Sequence, residues 1–178
     1  IPEDVRQAID ALIAKLRGAC RNARWVRMEN AHITLKFIGE VRIEKAEEIK
    51  AALAAVPFPA PIKMTFRGLG FFPDERRPRV LWTGIEAGPE LGALAYAVET
   101  ALEPLGVARE QREFSPHLTL ARFDVAKGLH RLRAGIAAAG SLEFGSTIAN
   151  EFHLYQSVLK RGGAEYTRLA TYVRAGSK

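Results

Sequence analysis

Two tetrapeptides carry the residues best suited to chemistry: His32-Ile33-Thr34-Leu35 and His117-Leu118-Thr119-Leu120. On an extended strand, alternate side chains share a face, so each His stands beside its Thr while the aliphatics point the other way. If the two strands border one cleft, two imidazoles and two hydroxyls converge there. Such a set suits a cyclic phosphodiester. Its hydrolysis needs a base to deprotonate water and an acid to protonate the departing ribose oxygen. Histidine serves either role near neutral pH. The hydroxyls of Thr34 and Thr119 can donate to non-bridging phosphate oxygens, where charge collects in the transition state.

A lone His-x-Thr on a strand is usually a packed or surface histidine. Two identical copies use half of the chain's four histidines, and coincidence explains that poorly. A metal site fits less well, because each motif offers one histidine and no acid at ligand spacing. Cys20 is the only cysteine, so neither an internal disulfide nor a cysteine-based zinc cluster can form. The expectation is therefore chemistry with no metal and no cofactor. Phosphate-loop and nucleophile-elbow patterns are missing. His130 sits beside Arg131 and Arg133 on an expected solvated helix face. His153, between Phe152 and Leu154, reads first as a structural strand residue that could line the cleft.

The elements that must position these groups follow from apolar spacing. Residues 3–17 read as a helix, with Val5, Ile9, Leu12, Ile13 and Leu16 on one face and Glu3 and Asp4 in its first turn. Residues 25–38 alternate as a strand, with Ile33, Leu35 and Phe37 inward and His32, Thr34 and Lys36 outward. Helices are expected over 44–56, 91–105 and 126–139. Strands are expected over 62–69, 79–85, 116–123 and 151–159, with Gly162-Gly163 turning a hairpin into 166–173. Phe71 and Phe72 fall in the loop between two of these strands. The order helix, His-x-Thr-Leu strand, helix occurs twice, which implies two similar lobes within one domain spanning residues 1–178.

Net charge is +6, from 26 basic against 20 acidic residues, which favours anionic partners. The basic residues are scattered rather than run together in a tail. No apolar run reaches the ~20 residues of a membrane helix, so no membrane partner is expected. One cysteine fits a reducing cytoplasm.

Around these motifs the chain resembles the 2H phosphoesterase superfamily, and most closely the bacterial and archaeal RNA 2′,3′-cyclic phosphodiesterases, also called 2′-5′ RNA ligases. The stretches that carry the resemblance are Trp25-Val26 with Asn30-Ala31-His32-Ile33-Thr34-Leu35-Lys36-Phe37-Ile38-Gly39-Glu40-Val41, Arg79-Val80-Leu81-Trp82, and Phe114-Ser115-Pro116-His117-Leu118-Thr119-Leu120-Ala121-Arg122. Glu151-Phe152-His153-Leu154-Tyr155-Gln156-Ser157, Gly162 and Tyr166-Thr167 extend it across nearly the whole chain.

The resemblance implies an α+β, bilobal, pseudo-symmetric fold, with two antiparallel sheets flanking a central cleft and helices outside. It implies that His32 donates a proton to the leaving 3′-oxygen, that His117 accepts one from water, and that the product is a 2′-phosphate. With an RNA 5′-hydroxyl in place of water, a 2′-5′ linkage would form. The expected partner is RNA with 2′,3′-cyclic phosphate ends, tRNA fragments among them, or a nucleotide, bound by a monomer. Arg122 is implied to hold phosphate, although strict alternation from His117 points it to the opposite face unless a bulge turns it back. Phe114, Tyr155, Phe71 and Phe72 are candidates for base stacking, the last two on a rim loop. Members of the family begin with a strand ahead of the segment matching residues 1–4, and that strand is expected to lie outside this sequence. Two alternatives stay open: a binding module without turnover, and a branch acting on small cyclic nucleotides or 2′-5′ oligoadenylates.

Overall fold

The computed structural model describes residues 1–58, 60–124, 129–160 and 163–174. In chain order the elements are α1 (Glu3–Arg17), β1 (Ala23–Trp25), α2 (Ala46–Ala54), β2 (Ile62–Phe72), β3 (Val80–Ala87), α3 (Pro89–Leu102), β4 (His117–Phe123), α4 (His130–Ala137), β5 (Glu143–Ala149), β6 (Glu151–Lys160) and β7 (Gly163–Val173). Single 3-10 turns lie at Met28–Asn30, Ile43–Lys45 and Glu103–Leu105. The expected α+β class is observed. Among the described residues, no helix is long and apolar enough to cross a membrane.

The chain forms two compact units, each assembled from three separate segments. The first comprises residues 1–33, 64–86 and 116–147, and the second 34–63, 87–115 and 148–178. Both motif histidines therefore belong to the first unit. The repeat in the sequence does not divide the molecule at its midpoint, because the chain passes repeatedly from one unit to the other.

The first unit is built on a sheet of strand order β1-β4-β3-β2-β5, with β4 antiparallel to both β1 and β3. One face is apolar, with Phe66, Leu81, Leu118, Leu120 and Ala121 fully buried. Helix α1 contributes Val5, Ile9, Leu12, Ile13 and Leu16 to the same core. Its acidic first turn and basic last turn complement the helix dipole. Helix α4 packs close to it: a methyl at Gly135 would come within 2.9 Å of Leu16.

The second unit packs α2 and α3 with the β6-β7 hairpin. Ile49 and Leu53 of α2 and Leu91, Leu94, Val98 and Leu102 of α3 are buried. Pro89 starts α3, where its missing N–H costs nothing, and left-handed Gly106 ends the turn that follows. Phe152 stacks on Tyr172 at 4.8 Å, and the Tyr172 hydroxyl donates to the Lys50 carbonyl.

Three expectations need correction. Residues 25–38 are not one strand: β1 stops at Trp25, a 3-10 turn follows, and Ile33 makes only an isolated bridge. Phe37, expected inward, is 74% exposed, while Lys36, expected outward, has a side chain only 3% exposed. Lys36 is buried because its ammonium donates to the Glu99 carboxylate at 2.7 Å and the Ala108 carbonyl at 2.6 Å. Phe71 and Phe72 belong to β2 and not to a loop, with Phe71 packed on Phe123. The expected helix over 126–139 is described from His130 to Ala137, its first residues and the Gly162 turn lying outside the described residues.

Candidate active site

Strand β4 carries the second motif across the centre of the first unit. Its pairing with β3 matches Gly84 with His117, Thr83 with Leu118 and Trp82 with Thr119, then slips by one residue to match Leu81 with Ala121 and Val80 with Arg122. Leu120 is the extra residue. Burial registers the same slip, because Leu120 and Ala121 are consecutive and both buried, while His117, Thr119 and Arg122 are not. A bulge of this kind restarts the alternation in the opposite phase. It places Arg122 on the face that carries His117 and Thr119, as its implied role required.

That face is shaped by aromatic rings. Phe72 meets His117 nearly perpendicularly at 4.8 Å, Trp82 lies 6.4 Å from His117, and Phe72 and Trp82 are 5.1 Å apart. Trp82 rests against Gly70, where any Cβ would collide with its six-membered ring. Left-handed Gly68, with φ of 72°, accompanies a shift of phase in β2. Before it Ile62, Met64 and Phe66 are buried; after it Phe71 is, which sends Gly70 and Phe72 to the site face. The Trp82 Nε1 is buried with no hydrogen-bond partner among the described residues.

The first motif reaches the same sheet through the antiparallel bridge between Ile33 and Leu118. Carried one residue on, that register puts His32 across from Thr119 and diagonal to His117. Opposed residues on a shared face stand about 5 Å apart at Cβ and diagonal ones about 7 Å. Two imidazoles at that separation can flank a phosphate group. His32 is exposed, and its Nδ1 lies 2.7 Å from the Asn30 carbonyl oxygen. A carbonyl only accepts, so Nδ1 carries the proton and Nε2 is the nitrogen that exchanges protons with a ligand. The turn at Met28–Asn30 supplies that carbonyl.

His32, His117, Thr119 and Arg122 thus belong to one unit and one sheet region. Thr34, Phe114 and Tyr155 belong to the second unit. Thr34 is exposed and Phe114 half-buried. Tyr155 is 44% exposed, with His153 at 5.7 Å and Tyr166 at 6.4 Å. His153 is held across the hairpin by the Thr171 hydroxyl, 3.0 Å from its Nδ1. Burial lowers its pKa, with Glu151 opposing the shift and Arg168 adding to it. His130 is exposed at the start of α4. Phe72 is expected on a rim loop as a base-stacking ring and instead lies in β2 against His117, while Trp82 and Gly70 carry no expected role in the site. The nearest sequence signal was the spacing of Trp82 and Gly84 on one face of β3 between buried Leu81 and Thr83.

A family model described as LigT-like phosphoesterase matches residues 1–82 and 85–166. The chain belongs to the LigT-like phosphoesterase family. An RNA 2′,3′-cyclic phosphodiesterase of Aeropyrum pernix is 39% identical over 170 residues, covering 93% of this chain and 96% of that protein. A second, from Archaeoglobus fulgidus, is 34% identical over 172 residues, covering 97% and 95%. The crystal structure of E. coli LigT complexed with 3′-AMP superposes with a TM-score of 0.80 at 28% identity, covering 98% of this chain and 94% of that one. The match to the LigT-like phosphoesterase model spans both His-x-Thr motifs of this chain.

Proposed function

We propose that this enzyme hydrolyses RNA 2′,3′-cyclic phosphate ends to 2′-phosphomonoesters by two-histidine acid–base catalysis, without a metal. The observation that carries the proposal is the Ile33–Leu118 bridge, whose register aligns the two histidines on one face. His117 takes a proton from water as the water oxygen bonds to phosphorus. The bond from phosphorus to the 3′-oxygen breaks, and His32 supplies the proton that the leaving oxygen needs. The 2′-ester is left intact. Thr119 donates to a non-bridging oxygen and Arg122 balances the charge that builds there. With an RNA 5′-hydroxyl in place of water, the same proton transfers give a 2′-5′ linkage. The relatives' names point to the same substrate class.

The test is an RNA oligonucleotide ending in a 2′,3′-cyclic phosphate, incubated with the protein in excess EDTA, with the product end identified. Conversion to a 2′-phosphate is expected. A 3′-phosphate product, or no conversion, overturns the assignment.

A further inference from the structure

The face that carries His117 continues along β4 into a row of basic side chains. Arg122 is paired directly with Arg24 of the edge strand β1, so the two arginines leave the sheet as neighbours on one face. Like charges directly opposed across strands are unfavourable. Arg79 adds a third cation at this end, where it donates to the Asp124 carbonyl oxygen. Against these three, the Asp124 carboxylate takes Arg24 at 2.7 Å. That pair is exposed, at 68% and 65%, so water screens it and another anion can exchange for the carboxylate. The Val80–Arg122 rung lies two residues along β3 from the Trp82–Thr119 rung, or about 7 Å at strand rise. One nucleotide step spans such a distance.

We infer that Arg24 binds the phosphate on the 5′ side of the terminal nucleoside, making the end of an RNA chain, and not a small cyclic nucleotide, the preferred substrate. This rests on the phosphodiesterase reading above and chooses between the substrates that the sequence left open. A phosphate beside Arg24 accepts charge-assisted hydrogen bonds from it and offsets its opposition to Arg122, which serves the reacting phosphate. A mononucleoside cyclic phosphate has no group to place there.

The experiment compares dissociation constants, by calorimetry, for adenosine 2′-phosphate and for the dinucleotide ApA bearing a terminal 2′-phosphate. The wild-type protein is expected to bind the dinucleotide about tenfold more tightly, the factor one charge-assisted hydrogen bond provides. Arg24→Gln is expected to erase that ratio and to reduce the dinucleotide's salt slope by about 0.7. Asp124→Asn, which removes the competing carboxylate, is expected to raise the ratio. A ratio unchanged in both variants overturns the subsite. Hydrolysis of cyclic ends with an unchanged ratio overturns the subsite alone. An Arg24-dependent ratio without hydrolysis upholds the subsite and overturns the phosphodiesterase reading.

Discussion

Phe72 and His117 meet ring to ring at 4.8 Å, with their planes 81° apart. A perpendicular aromatic contact restricts how an imidazole can rotate. In the proposed mechanism Phe72 would act through His117, as a positioning residue. Phe72→Ala is expected to lower kcat about 10- to 100-fold with little change in KM, since small misplacement of a reacting group is costly. Phe72→Tyr, which keeps the ring, is expected to recover most of the loss. A fall in KM-dependent terms alone would show that Phe72 only binds substrate.

Trp82 occupies the space that a side chain at position 70 would need. Gly70→Ala is expected to push the indole off the sheet and to destabilise the fold by about 1–3 kcal/mol, the usual cost of overpacking. Denaturant unfolding measures it, and a change in near-ultraviolet dichroism from the indole should accompany it. Unaltered stability and dichroism would mean that Trp82 has other room.

Lys36 and Glu99 form an ion pair with the ammonium buried. The hydrogen bond from Lys36 is the largest cause holding the Glu99 carboxyl below its ordinary value, and the Glu110 backbone N–H adds to it. A carboxyl depressed in the folded state contributes stability above its unfolded pKa, and that contribution is lost as pH falls through the folded value. The native protein should therefore lose stability on acidification below about pH 4.5. Lys36→Met should be less stable at neutral pH by about 1 kcal/mol and should show a flatter acid limb. Parallel pH–stability curves for the two proteins would refute this.

Thr83 is fully buried in β3, with no hydrogen-bond partner for its hydroxyl among the described residues. Replacing an orphaned buried hydroxyl by a methyl of the same shape removes a desolvation penalty. Thr83→Val is expected to raise stability by about 1 kcal/mol, visible as an increase in Tm. A decrease would mean that the hydroxyl is satisfied in solution.

The sequence was informative where one local pattern decides the outcome. Helix α1 matches its periodicity from Glu3 to Arg17, and alternation around His117 correctly set Leu118 and Leu120 against His117 and Thr119. The same rule demanded a bulge if Arg122 was to face the site, and Leu120 provides one. Alternation misled at residues 32–38, because Ile33, Leu35 and Phe37 imitate a strand. There the Met28–Asn30 turn and the long-range partner of Lys36 decide the backbone path instead. Glu99 stands 63 positions away in the chain, and no window of sequence links the two. Strand β5 escaped notice because Phe144 is its only buried side chain. Phe72 and Trp82 join the site through sheet register, a property of pairing between distant strands.

The central claim is that His32 and His117 are the acid and the base. Its most direct test is single-turnover hydrolysis of a cyclic-phosphate RNA end by His32→Ala and His117→Ala, with the wild-type rate followed across pH. Each substitution is expected to slow the reaction by about 10² to 10⁴, the usual worth of one acid or base group. The wild-type profile should be bell-shaped, with one limb lost in each variant. A variant that stays within a few-fold of the wild-type rate, with both limbs intact, would contradict the assignment of that histidine.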